Sequence, residues 1–224
     1  MDLRTGWFDS KEIKMITAMG DVMREAYKRG WITTRDGNIS LRRTDSDIMY
    51  ITPSGWRKTI IHPEHILKCK LNPDNSEEPI YMINDSGKSK PSGELEMHYL
   101  LQKDAKRTQA VVHLHPTHIV SALFAGWNLQ TLAMQFPEVS RYTRVGPSVP
   151  VLPVTSKILA DATYGAMVQD GKRLYDIVGQ AAHGVCAVAS NPWDAFEHIE
   201  RLEHICQIAL LSGKDPESIV VSEI

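Results

Sequence analysis

The chain has 224 residues, 42% hydrophobic and 23% charged, with a formal net charge of −2. Those values predict one globular domain over residues 1–224 with a large core, and they speak against nucleic acid as a partner. No apolar run reaches the length of a membrane span, Met1-Asp2-Leu3-Arg4 lacks a signal-like apolar core, and Cys69, Cys186 and Cys206 are widely spaced, so a cytoplasmic protein without a disulfide framework is expected.

Asp9-Ser10 ahead of Glu12 looks like a helix start, and the helix is expected to run to about Lys28, where Gly30 stops it. Gly37-Asn38-Ile39-Ser40-Leu41-Arg42 reads as a turn entering a strand, and residues 47–52 as a second strand closed by Pro53-Ser54-Gly55. Their closeness in sequence favours antiparallel pairing. Residues 64–70 hold a short helical turn and a strand, and residues 72–91 form a polar, turn-rich surface excursion. Ser92 fits an N-cap for a helix over 93–103 with Leu95, Tyr99 and Leu100 inward. A strand over 109–114 and a helix over 117–125 follow. Residues 126–154 read as irregular, with Tyr142 and a strand-like Val149-Pro150-Val151-Leu152. Residues 156–169 read as a helix, and residues 175–189 as two short strands flanking His183-Gly184. Asn191-Pro192 opens a last helix to Leu211, with Ala195, Ile199, Leu202 and Cys206 on one face and Gly213 as its stop. This alternation predicts α/β layers around one mixed, mostly antiparallel sheet.

His113-Leu114-His115-Pro116 is the most informative segment. On a strand, residues i and i+2 share a face, so the two imidazoles can converge on one ion. A third ligand must come from elsewhere, and His183, beside Gly184, is the candidate. Three histidines with an open position form a catalytic rather than a structural metal pattern. A His-x-His pair also suits two polar residues on a solvated face. His62, His65, His198 and His204 lack ligand spacing, and His118 reads as a residue behind the ligands or facing substrate. Glu94 follows Pro91-Ser92-Gly93 at a helix start, where the helix dipole alone favours a carboxylate. Because that helix leads into the His-x-His strand, Glu94 is also a candidate general acid/base, with His98 four residues on sharing its face. Gly37-Asn38, Thr52-Pro53-Ser54-Gly55 and Ser92-Gly93 are small-residue turns that can cradle an anion, although such residues also fill ordinary turns.

The order Gly37-Asn38-Ile39-Ser40, Ile51-Thr52-Pro53-Ser54-Gly55, Pro91-Ser92-Gly93-Glu94, His113-Leu114-His115-Pro116, Ala182-His183-Gly184 resembles the class II aldolase/adducin family over roughly residues 10–212. The resemblance implies a three-layer α/β/α sandwich and a zinc site, or another divalent metal such as Mn2+. It also implies a homotetramer with active sites at subunit interfaces. It assigns the metal to His113, His115 and His183, and acid/base catalysis to Glu94, with Tyr142 as the candidate for the family's mid-chain tyrosine. It assigns substrate phosphate to Asn38, Thr52, Ser54, Gly55, Ser92 and Gly93. The implied reaction is reversible cleavage of a ketose 1-phosphate to dihydroxyacetone phosphate and an aldehyde, through a metal-stabilised enediolate. Decarboxylation or dehydration of a related sugar or sugar-acid phosphate uses the same frame. The family's 4-epimerases carry Asp where Glu94 stands, and its non-catalytic adducin-like branch should lack the three histidines. The family's aldolases carry Ser-Ser-Glu where this chain has Ser92-Gly93-Glu94, and a tail tyrosine where this chain has none after Tyr175.

Overall fold

The computed structural model describes residues 10–44, 46–71, 80–82, 89–103, 105, 107–214 and 216. Most of the expected surface excursion at 72–91 lies outside the described residues, as does Asp9. In chain order the elements are α1 (Ser10–Lys28), β1 (Asn38–Arg42), β2 (Ile48–Ile51), β3 (Leu67–Leu71), β4 (Ile80–Met82), α2 (Leu95–Lys103), β5 (Gln109–Leu114) and α3 (Thr117–Phe124). They continue with α4 (Leu129–Met134), α5 (Pro137–Tyr142), α6 (Lys157–Met167), β6 (Val168–Gln169), β7 (Lys172–Arg173), β8 (Ile177–Gln180), β9 (Gly184–Ala189) and α7 (Pro192–Ser212).

Seven strands form one sheet in the order β4-β3-β2-β1-β5-β9-β8. Every neighbouring pair is antiparallel. Parallel pairing is confined to single bridges, Val145 with Ile177 and Val149 with Gln180, where the segment before α6 edges β8. The sheet is therefore mixed only along that edge.

Alternation along β5 sets the layers. Ala110, Val112 and Leu114 join a core with residues of α1, α3, α4, α5 and α7, including Ile16, Ile119, Leu132 and Ile199. Val111 faces the other way, with Met97 and Leu101 of α2 and Ala160 and Met167 of α6. This is the expected sandwich. His113 has the parity of Val111, so it points to the α2 side, and it pairs across β1 with Asn38 and across β9 with Cys186.

Several elements depart from expectation. Within residues 126–154, two six-residue helices appear: the Asn128 side chain caps α4 by accepting from Gln130 and Thr131, and Pro137 opens α5. The helix expected through 169 stops at Met167 because β6 and β7 pair around Asp170-Gly171, both at positive φ (51° and 69°). The most buried face of α2 is Met97, His98, Leu101 and Gln102, while Leu95, Tyr99 and Leu100 are partly buried and pack against the core clusters beside it. Two polar residues sink there because Ser40 and Asn38 of β1 offer them hydrogen bonds.

Candidate metal centre and active site

His113 lies near the end of β5, and His115 follows just beyond the strand, its backbone N–H donating to Trp31 O at 3.0 Å. His183 sits in the turn between β8 and β9, after Ala182 at φ 54°. Gly184 lets that turn descend onto β5: a Cβ there would lie 2.4 Å from Leu114 O and 2.7 Å from His115 Cδ2. The three rings stand 4.8, 4.8 and 4.9 Å apart, centroid to centroid. One nitrogen of each lies within 4.8 Å of the others.

The electrostatics suit a cation. His113 Nδ1 donates to Val185 O at 2.9 Å, leaving the lone pair of a neutral ring on Nε2, which stands 2.8 Å from His115 Nε2. Burial holds His113 well below the usual histidine pKa and pushes His115 down to about 3, so both are neutral donors at pH 7. His183 Nδ1 and Glu94 Oε1 are buried with no hydrogen-bond partner. Three converging nitrogens, two orphaned polar atoms and a cavity on the fourth side fit a divalent metal with an open position.

Glu94 stands at the entrance to α2, its backbone N–H donating to Ser92 Oγ at 3.3 Å. Its side chain is 7% exposed, with Oε2 3.2 Å from His113 Nε2 and Oε1 3.6 Å from His183 Nε2. Gly93 has a local reason. A Cβ there would lie 2.9 Å from Thr155 Cγ2, so the serine of the family's aldolases would collide with Thr155.

Ser54, Gly55, Ser92 and Gly93 share a cavity of about 390 Å³ with Glu94 and the three histidines. Two turns are stitched together to build it. Ser92 N donates to Thr52 O at 3.2 Å, and Ser54 N donates to Lys90 O at 2.8 Å. Lys58, which sequence reasoning missed, is a buried cation on the same wall, with Nζ donating to Arg35 O at 2.9 Å and Trp56 O at 3.1 Å. Burial lowers its pKa to about 8 against the pull of Asp36. A lysine shortly after Ser54-Gly55 was the available signal.

A sequence profile described as Class II Aldolase and Adducin N-terminal domain matches residues 17–210. The chain belongs to this family. A 5-deoxy-D-ribulose 1-phosphate aldolase of Bacillus thuringiensis serovar kurstaki is 30% identical over 202 residues, 88% of this chain and 84% of that protein. A methylthioribulose-1-phosphate dehydratase of a Bradyrhizobium species is 27% identical over 219 residues, covering 87% of this chain and 89% of that one. Among solved structures, an L-fuculose-1-phosphate aldolase from Thermus thermophilus superposes with a TM-score of 0.70 at 22% identity, over 93% of this chain and 99% of that one. The fold of this class II aldolase family member is thus shared along nearly its whole length. No helix among the described residues is long and apolar enough to cross a membrane.

Three residues expected near the site stand apart from it. Thr52 is fully buried away from the cavity, its hydroxyl accepting from Ile39 N at 3.1 Å, so it ties β1 to the end of β2. Tyr142 lies half exposed at the end of α5, with the guanidiniums of Arg141 and Arg201 over its ring. His118 turns to Glu203 of α7, 2.7 Å from its Oε1, rather than to the other histidines. Glu203 also accepts from His118 N and Ile119 N, which caps α3 and holds His118 there. Asn38 does line the cavity, with its amide hydrogen-bonded to Glu94 and His98.

Proposed function

We propose that this family member is a divalent-metal-dependent aldolase that reversibly cleaves a ketose 1-phosphate to dihydroxyacetone phosphate and an aldehyde. One observation carries the reading: Glu94 Oε1 is a buried carboxylate oxygen without a partner, beside three converging histidines and a cavity walled by small polar turns. His113, His115 and His183 would hold the ion, zinc or another divalent metal such as Mn2+. Such an ion supplies Lewis-acid polarisation of the substrate carbonyl and the adjacent hydroxyl. Ser54, Gly55, Ser92 and Gly93 hold the phosphate, with the charge of Lys58 behind them, and so fix the reacting carbons relative to Glu94. As the carbon–carbon bond breaks, a carbonyl forms from the hydroxyl of the aldehyde fragment, and the proton that hydroxyl loses balances the one Glu94 gives up. Glu94 delivers the proton to the carbon that keeps the bonding pair. The Thr52 hydroxyl is engaged at Ile39 instead, and Asn38 lines the same cavity with its amide on Glu94. A homotetramer completes the account: Tyr142 acts only if a neighbouring subunit receives it. We assign the protein to the cytoplasm, in keeping with three buried free cysteines.

The test is a panel of ketose 1-phosphates, with 5-deoxyribulose and fuculose 1-phosphates first, incubated with zinc-loaded and chelated protein. Chelator-sensitive release of dihydroxyacetone phosphate is expected. Methylthioribulose 1-phosphate and sugar-acid phosphates belong in the panel because a dehydratase relative matches most of the chain. Water loss or decarboxylation without aldehyde release would replace the aldolase reading with that lyase chemistry.

A further inference from the structure

Behind Glu94 runs a line of buried polar side chains that the reaction above leaves unused. Asn38 Nδ2 donates to Glu94 Oε2 at 2.8 Å, and Asn38 Oδ1 is hydrogen-bonded to His98 Nε2. His98 Nδ1 stands 2.7 Å from Ser40 Oγ. Gln102 Nε2 donates to that same Oγ at 3.1 Å and to Gln109 O at 3.0 Å. His98, Ser40 and Gln102 are fully buried, so water does not compete for these bonds.

The two ends of the line together set the directions along it. The Gln102 amide nitrogen only donates, and Gln109 O fixes which way the amide faces. Ser40 Oγ accepts from Gln102 and keeps its own proton to give to His98 Nδ1. A neutral His98 then carries its hydrogen on Nε2 and donates it to Asn38 Oδ1. That turns the Asn38 amide so that its NH2 meets Glu94; the flipped amide would set oxygen against carboxylate. Burial keeps His98 neutral by pushing its pKa down to about 4. The line thus holds one oxygen of Glu94, while the other, Oε1, is buried without a partner on the His183 side.

We propose that His98 is a positioning residue for Glu94: acting through Asn38, it anchors Oε2 and leaves Oε1 aimed at the histidine cluster. This rests on the proton-transfer role proposed above for Glu94.

The test compares His98→Leu, which keeps bulk but loses the donor, with His98→Gln, which retains a donor for Asn38. Each is assayed metal-loaded, with metal content and melting temperature recorded, on the best substrate of the panel. We expect His98→Leu to lower kcat by about 10- to 100-fold, at near-unchanged KM and metal content, because a misplaced catalytic group costs rate rather than binding. His98→Gln should recover most of that loss. Ser40→Ala should give a smaller kcat-only loss, which covers the case of His98→Leu failing to fold. Nitrogen-15 NMR of the metal-loaded wild type should show His98 neutral with its proton on Nε2. A folded, metal-loaded His98→Leu at wild-type kcat, an equal kcat loss in the Leu and Gln variants, or a proton on Nδ1 would overturn the proposal. A wild type inactive on the whole panel would overturn the aldolase reading instead, and the His98 tautomer alone would then decide the positioning line.

Discussion

Glu12 and Glu94 are both glutamates at the start of a helix, and both are more than nine-tenths buried, at 6% and 8% exposure. Glu12 Oε1 accepts from the Tyr50 hydroxyl, from Arg43 at 3.2 Å and from Lys68 at 3.3 Å. Its charge is met by two cations, and Oε1 is fully engaged. Glu94 accepts from Asn38 on one oxygen, keeps the other without a hydrogen-bond partner and faces the imidazoles of His113 and His183 instead of two cations. Burial alone therefore does not mark a reactive carboxylate. Bonding capacity left open toward a cavity does.

The buried imidazoles around Glu94 give that side of the molecule a pH signature. In metal-free protein, His98 and His115 titrate near 4 and 3 when folded, against 6.5 as the ordinary value. The unfolded chain thus binds protons first as pH falls. The stabilisation is complete above pH 6.5 and is lost on descending through that value toward pH 4 and 3. His98 alone accounts for up to about 3 kcal/mol, from the free-energy equivalent of its pKa shift. Urea midpoints of chelated protein should fall steeply between pH 6.5 and 4, and His98→Gln should flatten the fall. A flat profile in the wild type would place these imidazoles in water rather than in the core.

A smaller effect is expected on the Glu12 side. Glu12→Gln should destabilise the fold by about 1–3 kcal/mol, since it removes charge-assisted hydrogen bonds from partly exposed Arg43 and Lys68. Denaturant unfolding would measure it. No destabilisation at all would mean that the cluster is replaceable by water.

The legible parts of this molecule were those where one short pattern carries the whole instruction. Alternation around His113 and His115, the spacing of Ala195, Ile199, Leu202 and Cys206, and the glycine stops were all readable, and Gly213 is indeed left-handed at φ 66°. The helices α4 and α5 were not, because six residues make fewer than two turns and show no period. Asp170-Gly171 is a weak hairpin signal because the strands on either side are only two residues long. Within the site, motif order names Thr52 and Asn38 but not their neighbours, which tertiary packing sets: Ile39 for one, Glu94 and His98 for the other. His98 could not be linked to Asn38 by spacing, since α2 and β1 lie far apart in the chain and meet only through the sheet. Gly93, which stands where the family's aldolases carry serine, is explained by Thr155, a neighbour that no local pattern reveals.

The most direct measurement sets Glu94→Gln beside Glu12→Gln, both fully metal-loaded, on the best substrate. The account predicts that Glu94→Gln keeps its metal and its fold and loses about 10²- to 10⁴-fold in kcat, the usual worth of a general acid/base. Glu12→Gln should stay within about two-fold of wild type in kcat despite its weaker fold. Turnover of Glu94→Gln at the wild-type rate, with metal retained, would contradict the account.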